Sequence, residues 1–252
     1  MRKRLTLALL SAMLATPALR AQDTPVDAKI FNHLSAGVEV GTTGIGVEVA
    51  MPCTNFLAFR TGVSFMPKIG FDFDIDYKTN KDKANGTCHT VNVEAKTNIL
   101  DWKLLADFYP IPKGGLHLTA GFFLGKEFPI EAKNTRPLED VGPGEGIEIG
   151  NTLITPDENM IARVNIAARK FKPYVGLGWG RAVPKRRVNF AFDVGAQFWG
   201  KPAMKAYSYD EQRWVKVGKG DVDEEDLNDA IDIVEKIRVY PVLNLRVNFR
   251  AF

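Results

Sequence analysis

The chain has 252 residues, 45% of them hydrophobic and 25% charged, enough for one large domain or two small ones and too apolar for intrinsic disorder. Four of the 33 basic residues and none of the 30 acidic ones fall within the first 21 positions, so the rest of the chain carries a net charge of about −1. That excludes the surplus of cations a nucleic-acid partner requires, and two cysteines, Cys53 and Cys88, exclude a disulfide scaffold.

The opening stretch, MRKRLTLALLSAMLATPALRAQ, joins Arg2, Lys3 and Arg4 to an apolar run and then to small residues at Ala18 and Ala21. It reads as a secretory signal peptide over residues 1–21, with cleavage after Ala21 or Ala18, and leaves 22–252 as the mature domain. No later apolar run reaches the eighteen or so residues of a membrane helix. Strands that cross a membrane alternate instead, and remain open to this chain.

Period-2 alternation then recurs. Leu34, Ala36, Val38 and Val40, followed by Ile45, Val47, Val49 and Met51, flank a tight turn at Thr42–Thr43. Leu57, Phe59, Val63 and Phe65 follow the turn PCTN, and the phase continues through Ile69, Phe71, Phe73, Ile75 and Tyr77. The chain returns along Leu100, Trp102, Leu104, Ala106 and Phe108, turns at PIPKGG, and leaves along Leu116, Leu118, Ala120, Phe122 and Leu124. Residues 126–170 carry proline and glycine throughout and read as irregular. Val175, Leu177 and Trp179 then turn at VPKRR into Val188, Phe190, Phe192, Val194 and Phe198; a long connection over about 200–236 precedes Leu243, Leu245, Val247 and Phe249.

Eight strands result. From the second onward their connections alternate short and long, with long loops at about 67–97, 126–170 and 200–236. That segregation marks an all-β, eight-stranded antiparallel up-and-down transmembrane barrel, with tight turns in the periplasm and long loops outside. A lipocalin-like secreted barrel would invert the alternation, but Trp102, Phe108, Phe122, Trp179, Phe190, Phe192 and Phe198 overfill an eight-stranded interior. The lumen therefore receives the polar parity, with Glu39, Glu48, Asp101, Asp107 and Asp193 facing Arg60, Lys103, Arg246 and Arg250. The first strand lies beside the last to close the barrel.

The segments GTTGIGVEVAMP, LLADFYPIPKGGLHLTAGFFLG, KPYVGLGWGRAV, FAFDVGAQFWGKP and YPVLNLRVNFRAF resemble, in order and spacing, a family of small eight-stranded outer-membrane barrels of Gram-negative bacteria. Some of its members are described as ornithine-uptake or general small-solute porins. The resemblance covers about residues 33–252 and fades in the loops. It implies localisation to the bacterial outer membrane, outer-membrane lipid and lipopolysaccharide as neighbours, the barrel-assembly machinery as a partner, and a terminal aromatic residue as the assembly signal. Phe249 keeps the lipid-facing phase expected of that signal; Phe252, the last residue, is displaced from it by an odd number of positions.

Two readings of the lumen stay open: an ion-paired plug, or a narrow porin for small, cationic solutes. With the plug the barrel acts through its external loops as a structural or surface-interaction protein. Asp72, Asp74 and Asp76 share one strand face at about 6.6 Å intervals, either as a cation-attracting ladder or as a solvated face balanced by Lys78, Lys81, Lys83 and Lys96. Leu227, Ile231 and Val234 predict a short amphipathic helix within 221–236. The same segment is no calcium loop, because Asp226 stands where glycine is required.

His33, His89 and His117 fit no serine–carboxylate constellation, so no enzyme activity, metal site or cofactor is expected. Cys53 and Cys88 fall on opposite sides of the membrane and should not bridge. A monomer is the expected state.

Overall fold

Wherever four or five apolar residues alternate with polar ones, the chain is a strand. A computed structural model describes residues 33–79, 89–139, 141, 145, 147–149, 152–219 and 225–251; the expected signal peptide, Cys88 and Phe252 lie outside them. Eight strands form a closed barrel: β1 (Ser35–Gly41), β2 (Gly44–Pro52), β3 (Leu57–Phe65), β6 (Leu100–Phe108), β7 (Leu116–Gly125), β12 (Phe171–Trp179), β13 (Val188–Phe198) and β16 (Val239–Arg250). Each pairs antiparallel with its neighbours in the order β1-β16-β13-β12-β7-β6-β3-β2. The last strand lies along the first, with Val38 opposite Val247 and Glu39 opposite Arg246, as expected.

Side-chain exposure identifies the barrel's solvent. In β2 the buried residues are Gly44, Gly46, Glu48, Ala50 and Pro52, while Ile45, Val47, Val49 and Met51 are exposed. In β16 Leu245 is 59% exposed and its neighbour Arg246 only 1%. A protein in water does the reverse, so the outer surface is built for hydrocarbon. No helix among the described residues is long and apolar enough to cross a membrane; the strands cross it. Phe59, Phe108, Trp179 and Phe249 stand toward the end with the short turns and Phe65, Trp102, Phe171 and Phe198 toward the other, all exposed, as two aromatic girdles.

The connections 53–56, 109–115 and 180–187 lie at one end; the three long ones lie at the other, together with the two-residue turn Thr42–Thr43 that joins β1 to β2. The expectation that 126–170 is irregular is overturned. The long excursions contribute β4 (Gly70–Thr79), β5 (His89–Thr97), β8 (Ile130–Asn134), β9 (Ile147–Ile149), β10 (Thr152–Ile154), β11 (Arg163–Ala167), β14 (Ala203–Ser208) and β15 (Arg213–Lys216). These join in a second eight-stranded sheet, ordered β10-β9-β4-β5-β8-β11-β14-β15.

The edges of that sheet come together: the Thr152 hydroxyl donates to the Lys216 carbonyl and accepts from the Gly218 amide, each at 3.2 Å. The sheet thus rolls around Leu138, Ile147, Ile154, Ala162, Ala206 and Val217. Helix α1 (Glu225–Lys236) adds Ile231 to this core and also buries Val234, fulfilling the helical periodicity; the side chain of Leu227 lies outside the described residues. Apart from β4, whose alternation through Tyr77 is visible in the sequence, the strands of the roll escape the sequence reading, several because they run only three to six residues, too few alternations to register.

Candidate functional site: a layered, charged lumen

Glu48 on β2 sits at the centre of the lumen. The Lys103 ammonium donates to it at 2.7 Å, Arg246 Nη1 at 2.8 Å and Arg60 Nη1 at 3.4 Å. Arg60 also reaches Asp107, with Nη2 donating to Oδ1 at 2.9 Å and Nε 2.8 Å from Oδ2 but off the line of its N–H. Thr119 donates its hydroxyl to the same Asp107 oxygen at 2.8 Å. Asp193 accepts from Arg246 through Nε and Nη2 and stands 3.5 Å from Arg60 Nη2. Lys103 bonds Glu39 as well. Every one of these side chains is at most a few per cent exposed.

Such burial is tolerable only because each charge meets opposite charges at hydrogen-bonding distance. A lone ion here would cost several kcal/mol. The sequence makes room with glycine: a Cβ on Gly178 would lie 2.5 Å from both Asp193 Oδ1 and His117 Nε2. His117 fills that space, its Nε2 2.8 Å from Asp193 and its Nδ1 3.0 Å from the Gly115 carbonyl.

Two further layers bound the network. Toward the external end, Leu105, Phe123, Tyr174 and Val242 form an apolar layer, with the Phe123 and Tyr174 rings edge to face at 5.4 Å. Beyond it Lys172 pairs with Asp101 at 2.8 Å and lies over the Trp199 ring, which stacks on Tyr240. Toward the periplasm the connection 180–187 tucks inward instead of turning in solvent. Ala182 and Val183 pack with Ala50, Ala58 and Tyr109.

Hydrogen bonds fix this plug. The Ser35 hydroxyl donates to the Ala182 carbonyl at 2.6 Å, the Ala182 amide donates to the Tyr109 hydroxyl at 2.9 Å, and Asn189 and Asn248 both donate to the Arg181 carbonyl. The Arg181 guanidinium lies 4.4 Å from the Tyr109 ring centre and donates to the Pro112 carbonyl.

Of the residues expected in the lumen, Glu39, Glu48, Arg60, Lys103, Asp107, Asp193 and Arg246 meet in one network, and Asp101 stands apart in the outer layer. Arg250 is a correction: it is half-buried at the periplasmic rim, where Nη1 donates to the Lys185 carbonyl at 2.8 Å, because its position at the strand end lies beyond the network. Asp72 and Asp74 are exposed on β4, and Asn92 donates to Asp74 at 3.0 Å. Asp76 is opposite Thr90 in the register, with its side chain outside the described residues. Lys96, expected to balance the ladder, instead bonds Glu94. Phe249 faces outward, 47% exposed, in the lipid-facing phase. Cys53 is a free thiol.

His117, a polar residue of its strand next to the PIPKGG turn and so expected in the lumen or near that turn, lies in the lumen. Lys172, Thr119, Tyr109 and Tyr174 are missing from the sequence-level site, although Lys172 and Thr119 occupy the polar parity of their strands. The inward tuck of 180–187 left no periodic trace.

No protein-family model matches the chain, and no curated protein matches it. Among solved structures it is similar to CarO of Acinetobacter baumannii, 18% identical over 85% of this chain and 96% of that one with a TM-score of 0.48. It is also similar to CarO2 of the same organism, 18% identical over 86% and 98% with a TM-score of 0.49. A major outer membrane protein from Thermus thermophilus is 15% identical over 86% and 97%, with a TM-score of 0.33. The chain's own geometry carries the conclusion: closed by β1 and β16, apolar outside and charged within, it is an eight-stranded outer-membrane β-barrel protein.

Proposed function

We propose that the barrel is a non-conducting outer-membrane scaffold that acts through the rolled sheet it holds outside the membrane. The observation that carries this reading is the stacking of three closures along one lumen: the plug at Ala182 and Val183, the ion-pair network around Glu48, and the apolar layer of Leu105, Phe123, Tyr174 and Val242. Ions crossing this path would have to separate buried, hydrogen-bonded charge pairs and then enter an apolar layer, each a barrier of several kcal/mol. An eight-stranded interior leaves no width to go around them.

The second reading, a narrow porin for small cationic solutes, draws support from lumenal charge. Five buried carboxylates, Glu39, Glu48, Asp101, Asp107 and Asp193, outnumber the four cations Arg60, Lys103, Lys172 and Arg246, a bias that would favour cations if the lumen opened. Planar-bilayer recording of the refolded full-length protein separates the two. The scaffold reading expects no unitary conductance in wild type. Stable, cation-selective steps would establish the porin in its place.

A further inference from the structure

The external mouth of the barrel carries an arc of cations at the level where the outer leaflet ends. Arg238 directly precedes β16, Lys201 lies three residues beyond β13, Arg169 and Lys170 directly precede β12, and Lys126 directly follows β7; all five are exposed. These are neighbouring strands in the barrel order. Backbone hydrogen bonds tie the positions together: the Trp199 amide donates to the Arg238 carbonyl at 2.9 Å, the Arg169 amide to the Trp199 carbonyl at 3.2 Å, and the Gly125 amide to the Lys170 carbonyl at 2.9 Å.

Directly below stand the last lipid-facing residues of the same strands, Val239, Phe198, Phe171 and Leu124, each 40% or more exposed. Arg169, Lys201 and Arg238 have no carboxylate partner among the described residues. The carboxylate beside them, Glu127, is bonded to Lys205 at 2.9 Å and lies 3.6 Å from Lys170; the Lys205 hydrogen bond holds its carboxyl below the usual range. Arg169 is also held in place. Gly200, at φ +84°, accommodates the Arg169 side chain where any Cβ would collide with its Cγ, Cδ and Nε. At the Lys126 end the ammonium donates to the Asn98 side-chain oxygen, and Asn98 donates to Glu131 at 2.5 Å; Asp210 and Glu211 stand at the distal turn after β14.

Cations in a row immediately above an apolar band match an amphiphile whose anionic groups sit at the top of its acyl chains. We infer that Arg169, Lys170, Lys201 and Arg238, with Lys126 at one end, form a binding surface for the phosphate groups of the outer-leaflet glycolipid, the lipid A part of lipopolysaccharide. The guanidinium groups of Arg169 and Arg238 offer paired donors to phosphate oxygens, while Lys201 and Lys170 add point charge. Phe198 and Phe171 receive the acyl chains. The inference rests on the membrane placement of the barrel and is independent of whether its lumen conducts.

Native mass spectrometry of the refolded full-length protein with bisphosphorylated lipid A, with dephosphorylated lipid A, and with inorganic phosphate as competitor tests it. Wild type should retain the bisphosphorylated lipid preferentially. The triple variant Arg169→Gln/Lys201→Gln/Arg238→Gln should lose roughly a hundredfold in affinity, from about a factor of five per cation near a charged membrane surface. Arg213→Gln, distal on the roll, should bind as wild type does.

Heat-modifiable gel mobility reports folding; if the triple variant fails to fold, the single variants Lys201→Gln and Arg238→Gln carry the test at about fivefold each. Equal retention of dephosphorylated lipid, wild-type binding by the folded charge variants, or displacement by inorganic phosphate, which would mark a free-anion site, overturns the proposal. Conductance in wild type would leave this result untouched.

Discussion

The barrel and the rolled sheet above it are made by one chain from the same kind of strand, yet they are inside out relative to each other. The barrel buries Glu48, Arg60, Lys103, Asp107, Asp193 and Arg246 and exposes Val47, Leu245 and Phe190. The roll buries Ile147, Ile154, Ala206 and Val217 and keeps Lys133, Glu158, Arg213 and Lys216 at its surface. Period-2 alternation therefore specifies a two-faced strand without saying which face is inside; the surrounding solvent decides. The barrel core is held by directional charge pairing, the roll core by apolar burial, and the two should fail differently.

The largest effect should come from opening the charged core. Glu48→Ala leaves Lys103 and Arg246 short of a carboxylate partner and should cost about 3–5 kcal/mol in barrel stability, read as urea unfolding in lipid vesicles. Replacing a whole pair is milder: the double variant Asp101→Leu/Lys172→Leu should lie closer to wild type than Asp101→Leu alone, since the single change strands a buried ammonium. A cost equal to the sum of the single changes would show that the pair is not coupled.

In the roll the corresponding change is Ile154→Ala, fully buried in the apolar core, with an expected loss of about 2–5 kcal/mol. That loss should appear as protease sensitivity of the external segments while the barrel keeps its heat-modifiable mobility. Loss of both together would mean that roll and barrel form one cooperative unit.

Leu245→Lys places a cation on the lipid side at mid-strand and should cost about 2–4 kcal/mol. The same substitution on a water-facing strand would cost little, so this variant reads the polarity of the barrel wall directly.

The smallest effect belongs to the rim pair. Because Glu127 is held below its usual range by Lys205, its folded form binds protons less readily than its unfolded form. Its contribution is thus present above the unfolded carboxylate range and lost as pH falls through the lower folded value. With solvent screening it amounts to about 0.5 kcal/mol or less. Glu127→Gln should leave the unfolding midpoint at neutral pH nearly unchanged and remove that share of the acid sensitivity.

What was legible in the sequence follows from the same physics. The eight barrel strands stand out because each crosses a full hydrocarbon thickness and so repeats its alternation four or five times. Parity alone placed Glu48, Arg60 and Asp193 inside, but partners depend on register between strands distant in sequence, as with Asp101 and Lys172. Parity also misplaced Arg250, where the strand outruns the network. Residues 130–167 hide their strands because segments such as Thr152–Ile154 are three residues long. The plug is hidden because a turn folds inward only where the lumen leaves room, and that room is set by side chains from several other strands.

The most direct test of the inverted polarity is a single-cysteine scan along β16 in lipid vesicles, with Cys53 and Cys88 first replaced by serine and spin labels attached at Leu243, Leu245 and Phe249 and at Asn244 and Asn248. The structure predicts that labels at the first three meet lipid-dissolved oxygen and exclude a water-soluble relaxation agent, while those at Asn244 and Asn248 are screened from both. Access of the water-soluble agent to Asn244 and Asn248 would contradict the filled lumen, and its access to Leu243 and Leu245 would contradict the membrane orientation itself.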